Sequence, residues 1–272
     1  MDIGTLLFSF LLYFLKLFAL TLGLLFACGL VVHFCSFLFS KLLGDGAKPV
    51  YFITAAIGTP IHELGHAIMC PIFGHKITAM KLWSPTAKDG MFGYVEHEYK
   101  KSNPRAVFGN LFIGLGPLFS GLGVIVLMLW LCLPAAWNGY LETSKALLDS
   151  GASFADVAMG VFDLFKNIPA AFAENWIRAL IGIAVILPVS LHVKLSLLDI
   201  KGSLTAIPIY AGFLAVFAIV TYAINTQDFF INGLTLLNIR LLSVFILIIA
   251  FAAVWVAIAL LVFLIKKLIK CF

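Results

Sequence analysis

Within an apolar stretch from about Val50 to Phe73 stand three ionisable side chains, His62, Glu63 and His66, spaced His-Glu-x-x-His. On a helix, residues four apart lie one turn apart on one face, so His62 and His66 can both turn a ring nitrogen to one metal ion. Glu63, one position along, stands beside that ion, where it can take a proton from a bound water. Zinc brings the pKa of such a water to about 7, which makes hydroxide available at neutral pH. Ionisable groups in an apolar segment of membrane length are expensive and are retained for function. A tetrahedral catalytic zinc needs one more protein ligand and keeps its fourth place for water. His192 and Asp199 both suit that role. They are seven residues apart, about 10 Å along a helix, so both bind one ion only if the helix unwinds. Asp199 is a carboxylate at the end of a span with no evident solvated role, which favours it as the ligand. His192, Ser196 and Asn110 are then expected to support the ligands or line a substrate cavity.

The elements that must position these groups are apolar helices. Of the 272 residues, 62% are hydrophobic, 11% are charged and 26 are Phe. Several runs exceed the about 18 apolar residues that mark a membrane span. The composition excludes an ordinary soluble domain and predicts an all-α polytopic membrane protein, one domain over residues 1–272. The net charge of +5 comes from Lys and Arg spread over loops. It points to membrane topology, not to nucleic acid. Five cysteines without a Cys-x-x-Cys pattern form no disulfide framework and read as small apolar residues. Ile3–Phe39, with no basic start, reads as a span instead of a cleavable signal.

About six spans are expected: residues 3–40, the motif span to Phe73, Arg105–Leu133, Trp176–Leu191, 204–224 and 241–264. His33 in the first reads as a satisfied buried histidine. Between the second and third, Lys76–Trp83 and Met91–Tyr99 are rich in β-branched and aromatic residues, with Pro85 and Asp89–Gly90 as turn formers. They predict a small β-hairpin at the membrane surface. Glu96, His97 and Glu98 read as its solvated face. In the third span, Gly109, Gly114, Gly116 and Gly121 permit close helix packing. Pro134–Asn175 is more polar and predicts amphipathic helices. The distribution of Lys and Arg places both termini in the cytoplasm, with Gly74–Arg105, Lys194–Gly202 and the tail after Leu264 on that side.

With these residues in view, the chain resembles the site-2 protease family of intramembrane zinc metalloproteases. The resemblance rests on His62–Glu63–Leu64–Gly65–His66 in a span and Gly116–Pro117 in the next, and it covers about Val50 to Gly202. The family's second motif, Asn-x-x-Pro-x-x-x-x-Asp-Gly, supplies a zinc-binding Asp. The matching place here is Ser190–Gly202, with Asp199 as ligand, although Asp199 is followed by Ile200–Lys201–Gly202 and the Asn and Pro have no counterparts. The resemblance implies Zn2+, Glu63 as general base, and a transmembrane or membrane-proximal protein as substrate. It also implies a multi-pass protein of the cell (inner) membrane, in contact with the lipid bilayer. It further suggests that a substrate is held as an added strand beside the hairpin. Two other readings stand beside it. A membrane-anchored gluzincin-type protease would take Glu142 as third ligand. A zinc-binding or zinc-transporting membrane protein would use Glu63 as a ligand and would not cleave peptides.

Overall fold

The computed structural model describes residues 2–85, 92–151 and 153–269. Helix Ile3–Phe18 (α1) passes through a π-helical turn, Ala19–Gly23, into Leu24–Leu43 (α2). Gly44 adopts φ +59°, in the left-handed region, and a 3-10 turn at Gly44–Gly46 leads into Ala47–Ile72 (α3). The chain reverses there. Ser36 Oγ lies 2.8 Å from Tyr51 Oη, and the Phe39 and Tyr51 rings meet at 5.5 Å. In one straight helix Ser36 and Tyr51 would stand roughly 20 Å apart.

α3 carries the motif and packs antiparallel on Pro104–Cys132 (α4). The contact is backbone on backbone. A Cβ added to Gly65 would stand 2.5 Å from the carbonyl carbon of Gly116. Ser120 Oγ donates to Ile61 O at 2.8 Å one turn further on. Leu111, Leu115, Leu118, Ile125 and Leu129 of α4 are fully buried, so α4 is the central helix. Its glycines, expected to permit close packing, do so: Gly109 against Phe73, Gly114 against Asp199, Gly116 against α3 and Gly121 against Val193.

Four short helices follow: Pro134–Asp149 (α5), Phe154–Met159 (α6), Val161–Lys166 (α7) and Ile168–Glu174 (α8). They account for the polar segment expected to form amphipathic helices, with Tyr140, Leu164 and Ala171 turned into the common core. Trp176–His192 (α9) returns beside α3 and α4. It breaks at Val193–Ser196 and resumes as Leu197–Leu204 (α10), bent by 61°.

Ile207–Ala223 (α11) packs antiparallel on α1, with Tyr13 Oη and Thr221 Oγ1 2.8 Å apart and Tyr210 bonded to Thr21. Gln227–Ile269 (α12) then runs parallel to α2, from Asn238, which donates to Leu20 O, to Lys266, whose ammonium lies by Gly46. By length and apolarity the stretches Ile3–Ile72, Pro104–Cys132 and Gln227–Ile269 can cross a membrane, and the bent pair α9–α10 makes a fourth. Large apolar side chains such as Leu7, Phe34, Ile53, Trp130 and Leu261 lie on their outer surfaces.

The hairpin lies at the far end of α3 from Gly46. Lys76–Lys81 (β1) and Tyr94–Glu98 (β2) pair antiparallel, with a register irregularity between Ile77 and Ala79. Both strands are shorter than expected from composition. The expected turn at Asp89–Gly90, with Met91, falls outside the described residues.

The hairpin follows the C-terminal end of α3, whereas Lys266 sits at its N-terminal end. The hairpin and Lys266 are therefore at opposite ends of the bundle, and so are the start of α1 and the end of α12. The reason is the course of α11, which folds back on α1 beyond the start of α4 and does not recross the bundle. The charge count that placed both termini in the cytoplasm assumed that it did.

Candidate metal centre

The site is built where α3, α4 and the break between α9 and α10 meet. His62 and His66 leave one face of α3, as their spacing requires, with Nε2 atoms 3.2 Å apart. Asp199 comes to them from α10. Its Oδ1 is 3.2 Å from His66 Nε2, and its Oδ2 is 3.8 Å from His62 Nε2. One ligand atom from each of the three residues lies within 4.8 Å of the other two, so the group is able to hold a metal ion.

Asp199 reaches this position for local reasons. Ser196 caps α10: its Oγ accepts the Asp199 N–H at 3.1 Å, and its own N–H donates to Asp199 Oδ2 at 2.6 Å. This reciprocal capping box fixes the carboxylate through Oδ2 and leaves Oδ1 turned to His66. α10 also comes close because Gly114 faces it; a Cβ there would stand 2.5 Å from Asp199 O.

The helix break contributes more than the bend. Carbonyls at the end of α9 lose their helical partners and must be satisfied otherwise. His192 O accepts the Nδ1–H of His62 at 2.9 Å, and Leu195 O pairs with His33 Nδ1 at 2.9 Å. His33 is thus a satisfied histidine, as expected. His66 Nδ1–H donates to Ile113 O at 2.7 Å. With each Nδ1 proton committed to a carbonyl, each ring in its neutral form turns an Nε2 lone pair to the same point. Two lone pairs and a carboxylate oxygen aimed at one point repel each other until a cation stands between them. Two imidazoles and one carboxylate are also a donor set of catalytic zinc sites.

His192 does not join the ligands. Thr54 Oγ1 gives its proton to Val50 O and so accepts the Nε2–H of His192 at 2.9 Å. Thr59 Oγ1 lies 3.4 Å from its Nδ1. Both ring nitrogens face α3, and the residue acts through its carbonyl. Gly58 makes room for this ring; a Cβ there would stand 2.6 Å from His192 Cδ2.

A cavity of about 380 Å³ opens on the triad, lined by Glu63, Asn110, Ser196 and Leu198 and, from the hairpin side, by Gly93, Tyr94, Val95 and His97. Glu63 is 8% exposed. Asn110 Nδ2 donates to Tyr99 Oη and to Thr205 Oγ1, both at 2.9 Å, and so ties the end of β2 to the end of α10. Among the described residues the hairpin borders the cavity with β2 and Gly93 just before it, and β2 pairs only with β1.

No family model, characterised protein or solved structure matches this chain. Geometry and chemistry alone carry the assignment.

Of the sequence-predicted residues, His62, His66 and Asp199 meet. Glu63, Asn110 and Ser196 line the same cavity, and His192 stands behind it. Glu142 is exposed on α5 and does not line the cavity. The reading of Glu96, His97 and Glu98 as one solvated face is corrected: a strand alternates, so Glu96 and Glu98 face solvent while Val95 and His97 turn inward. Burial, then the neighbouring His75 and His66, hold the His97 imidazole below its ordinary range. Thr54, Thr59, Gly58 and Gly93 were missed, and His97 was set among the solvated residues. Only the strand alternation through Val95 and His97 could have flagged one of them.

Proposed function

We propose that this protein is an intramembrane zinc-dependent endopeptidase. The observation that supports it best is the convergence of His62, His66 and Asp199, each oriented by a hydrogen bond, on a cavity that also holds Glu63. Bound there, zinc would supply a water acidic enough to ionise at neutral pH and a positive charge for the scissile carbonyl oxygen. The chain's own residues do the rest. His192 O and Ile113 O hold the two imidazoles with Nε2 forward, and Ser196 holds Asp199. Glu63 takes a proton from the water. The water oxygen relieved of that proton would add to the carbonyl carbon, whose π pair would move to oxygen. As that pair returned to re-form C=O and the C–N bond broke, Glu63 would pass its proton to the departing nitrogen.

The substrate is a transmembrane or membrane-proximal segment. A helical segment hides its peptide bonds in its own hydrogen bonds, so it must unwind first. The edge of β2 beside the cavity, unpaired among the described residues, offers replacement main-chain partners. Prolines placed singly along Tyr94–Glu98 are expected to lower cleavage with the metal retained; unchanged cleavage throughout would exclude strand addition.

The test of the function uses purified protein in lipid vesicles with a fluorogenic Leu/Ala/Gly-rich transmembrane peptide of about 25 residues. Zinc-dependent cleavage without zinc flux is expected. Zinc flux without cleavage would replace this reading with a transporter, and cleavage that survives removal of all metal would end it.

A topology belongs to this proposal. With α3 crossing the bilayer, single cysteines at Lys100 and Lys266, in a background without the native cysteines, should react with an impermeant reagent from opposite faces. Labelling from one face would contradict the bundle geometry.

A further inference from the structure

A second pair of histidines lies beside the cavity and outside the metal triad. His75 and His97 face each other through their Nδ1 atoms at 3.0 Å, and their rings stand 4.9 Å apart. His75 Nε2 lies 2.8 Å from Ala106 O and must donate to it, since a carbonyl only accepts. In the neutral pair this leaves His75 Nδ1 as an acceptor. The proton between the rings therefore belongs to His97 Nδ1, and His97 Nε2 is left with a lone pair. His75 is buried at 4% exposure and stacks on Tyr99 at 4.4 Å, so the anchor of this relay is held firmly. His97 lies on the inward face of β2 with Val95, and both line the cavity that contains Glu63.

We propose that His97 is a further catalytic residue, whose Nε2 accepts the N–H of the scissile peptide bond, and that His75 is the positioning residue that sets its tautomer. This rests on the peptidase reading. The chemistry asks for such an acceptor. The amide nitrogen becomes pyramidal as the carbonyl carbon is attacked, and it must turn its lone pair to Glu63 to receive the proton. An acceptor for its N–H on the other side fixes that orientation. A ring with a bare Nε2 accepts and cannot donate, so it selects the nitrogen side of the bond and not the carbonyl oxygen. β2 places this ring beside a substrate strand lying along the edge that is unpaired among the described residues.

The test compares a peptide with its counterpart carrying an ester in place of the scissile amide, which has no N–H. His97→Phe is expected to cleave the fluorogenic transmembrane peptide about a hundredfold more slowly, mainly in kcat, and to cleave the ester at nearly the wild-type rate. His97→Gln, which keeps an acceptor oxygen, should recover part of the loss on the peptide. Zinc content should be unchanged in both. Equal losses on amide and ester, or no loss on the amide, would overturn the proposal. A second readout does not depend on turnover. In ¹⁵N-histidine spectra His97 should be the Nδ1–H tautomer and should lose that signature in His75→Leu. His97 found as the Nε2–H tautomer would overturn the proposal. If the wild type cleaves neither substrate, the peptidase reading itself has failed, and the spectra still decide the relay.

Discussion

Glu63→Gln is expected to abolish cleavage while leaving the metal in place. The substitution keeps the size of the side chain and removes only its capacity to take and return a proton. General acid–base groups contribute typically 10²–10⁴-fold. Glu63 serves twice, once on the water and once on the leaving nitrogen, so a loss of at least about 10³-fold is expected. Zinc content by metal analysis should match the wild type, because the three ligand atoms come from His62, His66 and Asp199. Loss of zinc together with activity would make Glu63 a ligand and would favour the transport reading. Full activity with zinc retained would remove Glu63 from the chemistry.

The second large effect separates Asp199 from His192. Asp199→Ala is expected to lower zinc affinity more than 100-fold, beyond the 10–100-fold typical of residues that only orient ligands. Activity should vanish with it. Asp199 also belongs to the capping box of α10, whose loss costs about 0.5–2 kcal/mol. Asp199→Asn therefore accompanies it: an amide oxygen still accepts the Ser196 N–H, while a neutral ligand binds zinc far less well. His192→Ala removes the ring that rests on Thr54 but leaves the main-chain carbonyl that orients His62. It should retain zinc at reduced affinity. Thermal unfolding in detergent gives an independent readout, since an ion bound at 100 times its Kd stabilises the folded state by about 2.7 kcal/mol. Added zinc should raise the Tm of the wild type and of His192→Ala, and leave both Asp199 variants unmoved. The reverse pattern would make His192 the third ligand.

Much of the centre was legible in advance because its information is local. His62 and His66 share a face by helical spacing, and that holds wherever the helix is placed. Asp199 was reachable because a carboxylate at the end of an apolar span has few other uses. The apolar runs that form α3, α4 and α9 carried their own lengths, and the polar composition of Pro134–Asn175 already indicated helices of another kind. What could not be read was partnership. Thr54 is an ordinary helical threonine until α9 brings His192 onto it. Gly114 is one small residue among several until α10 lands there. His97 stood between two exposed glutamates and was read with them.

The sequence by itself determined the ionisable groups, their spacing along α3, and the apolar helices that bury them, because side-chain type and the period of a helix or strand are properties of the local chain. Only the tertiary structure decided that α9 breaks after His192 and bends by 61°, and that the freed carbonyls orient His62 and His33. It alone decided that α11 folds back on α1 and sends α12 to the opposite end from the hairpin. These outcomes depend on which surfaces fit together, on glycine backbones meeting at Gly65 and Gly116, and on where buried carbonyls find donors. No period in the chain encodes those, since each is a relation between residues far apart in sequence.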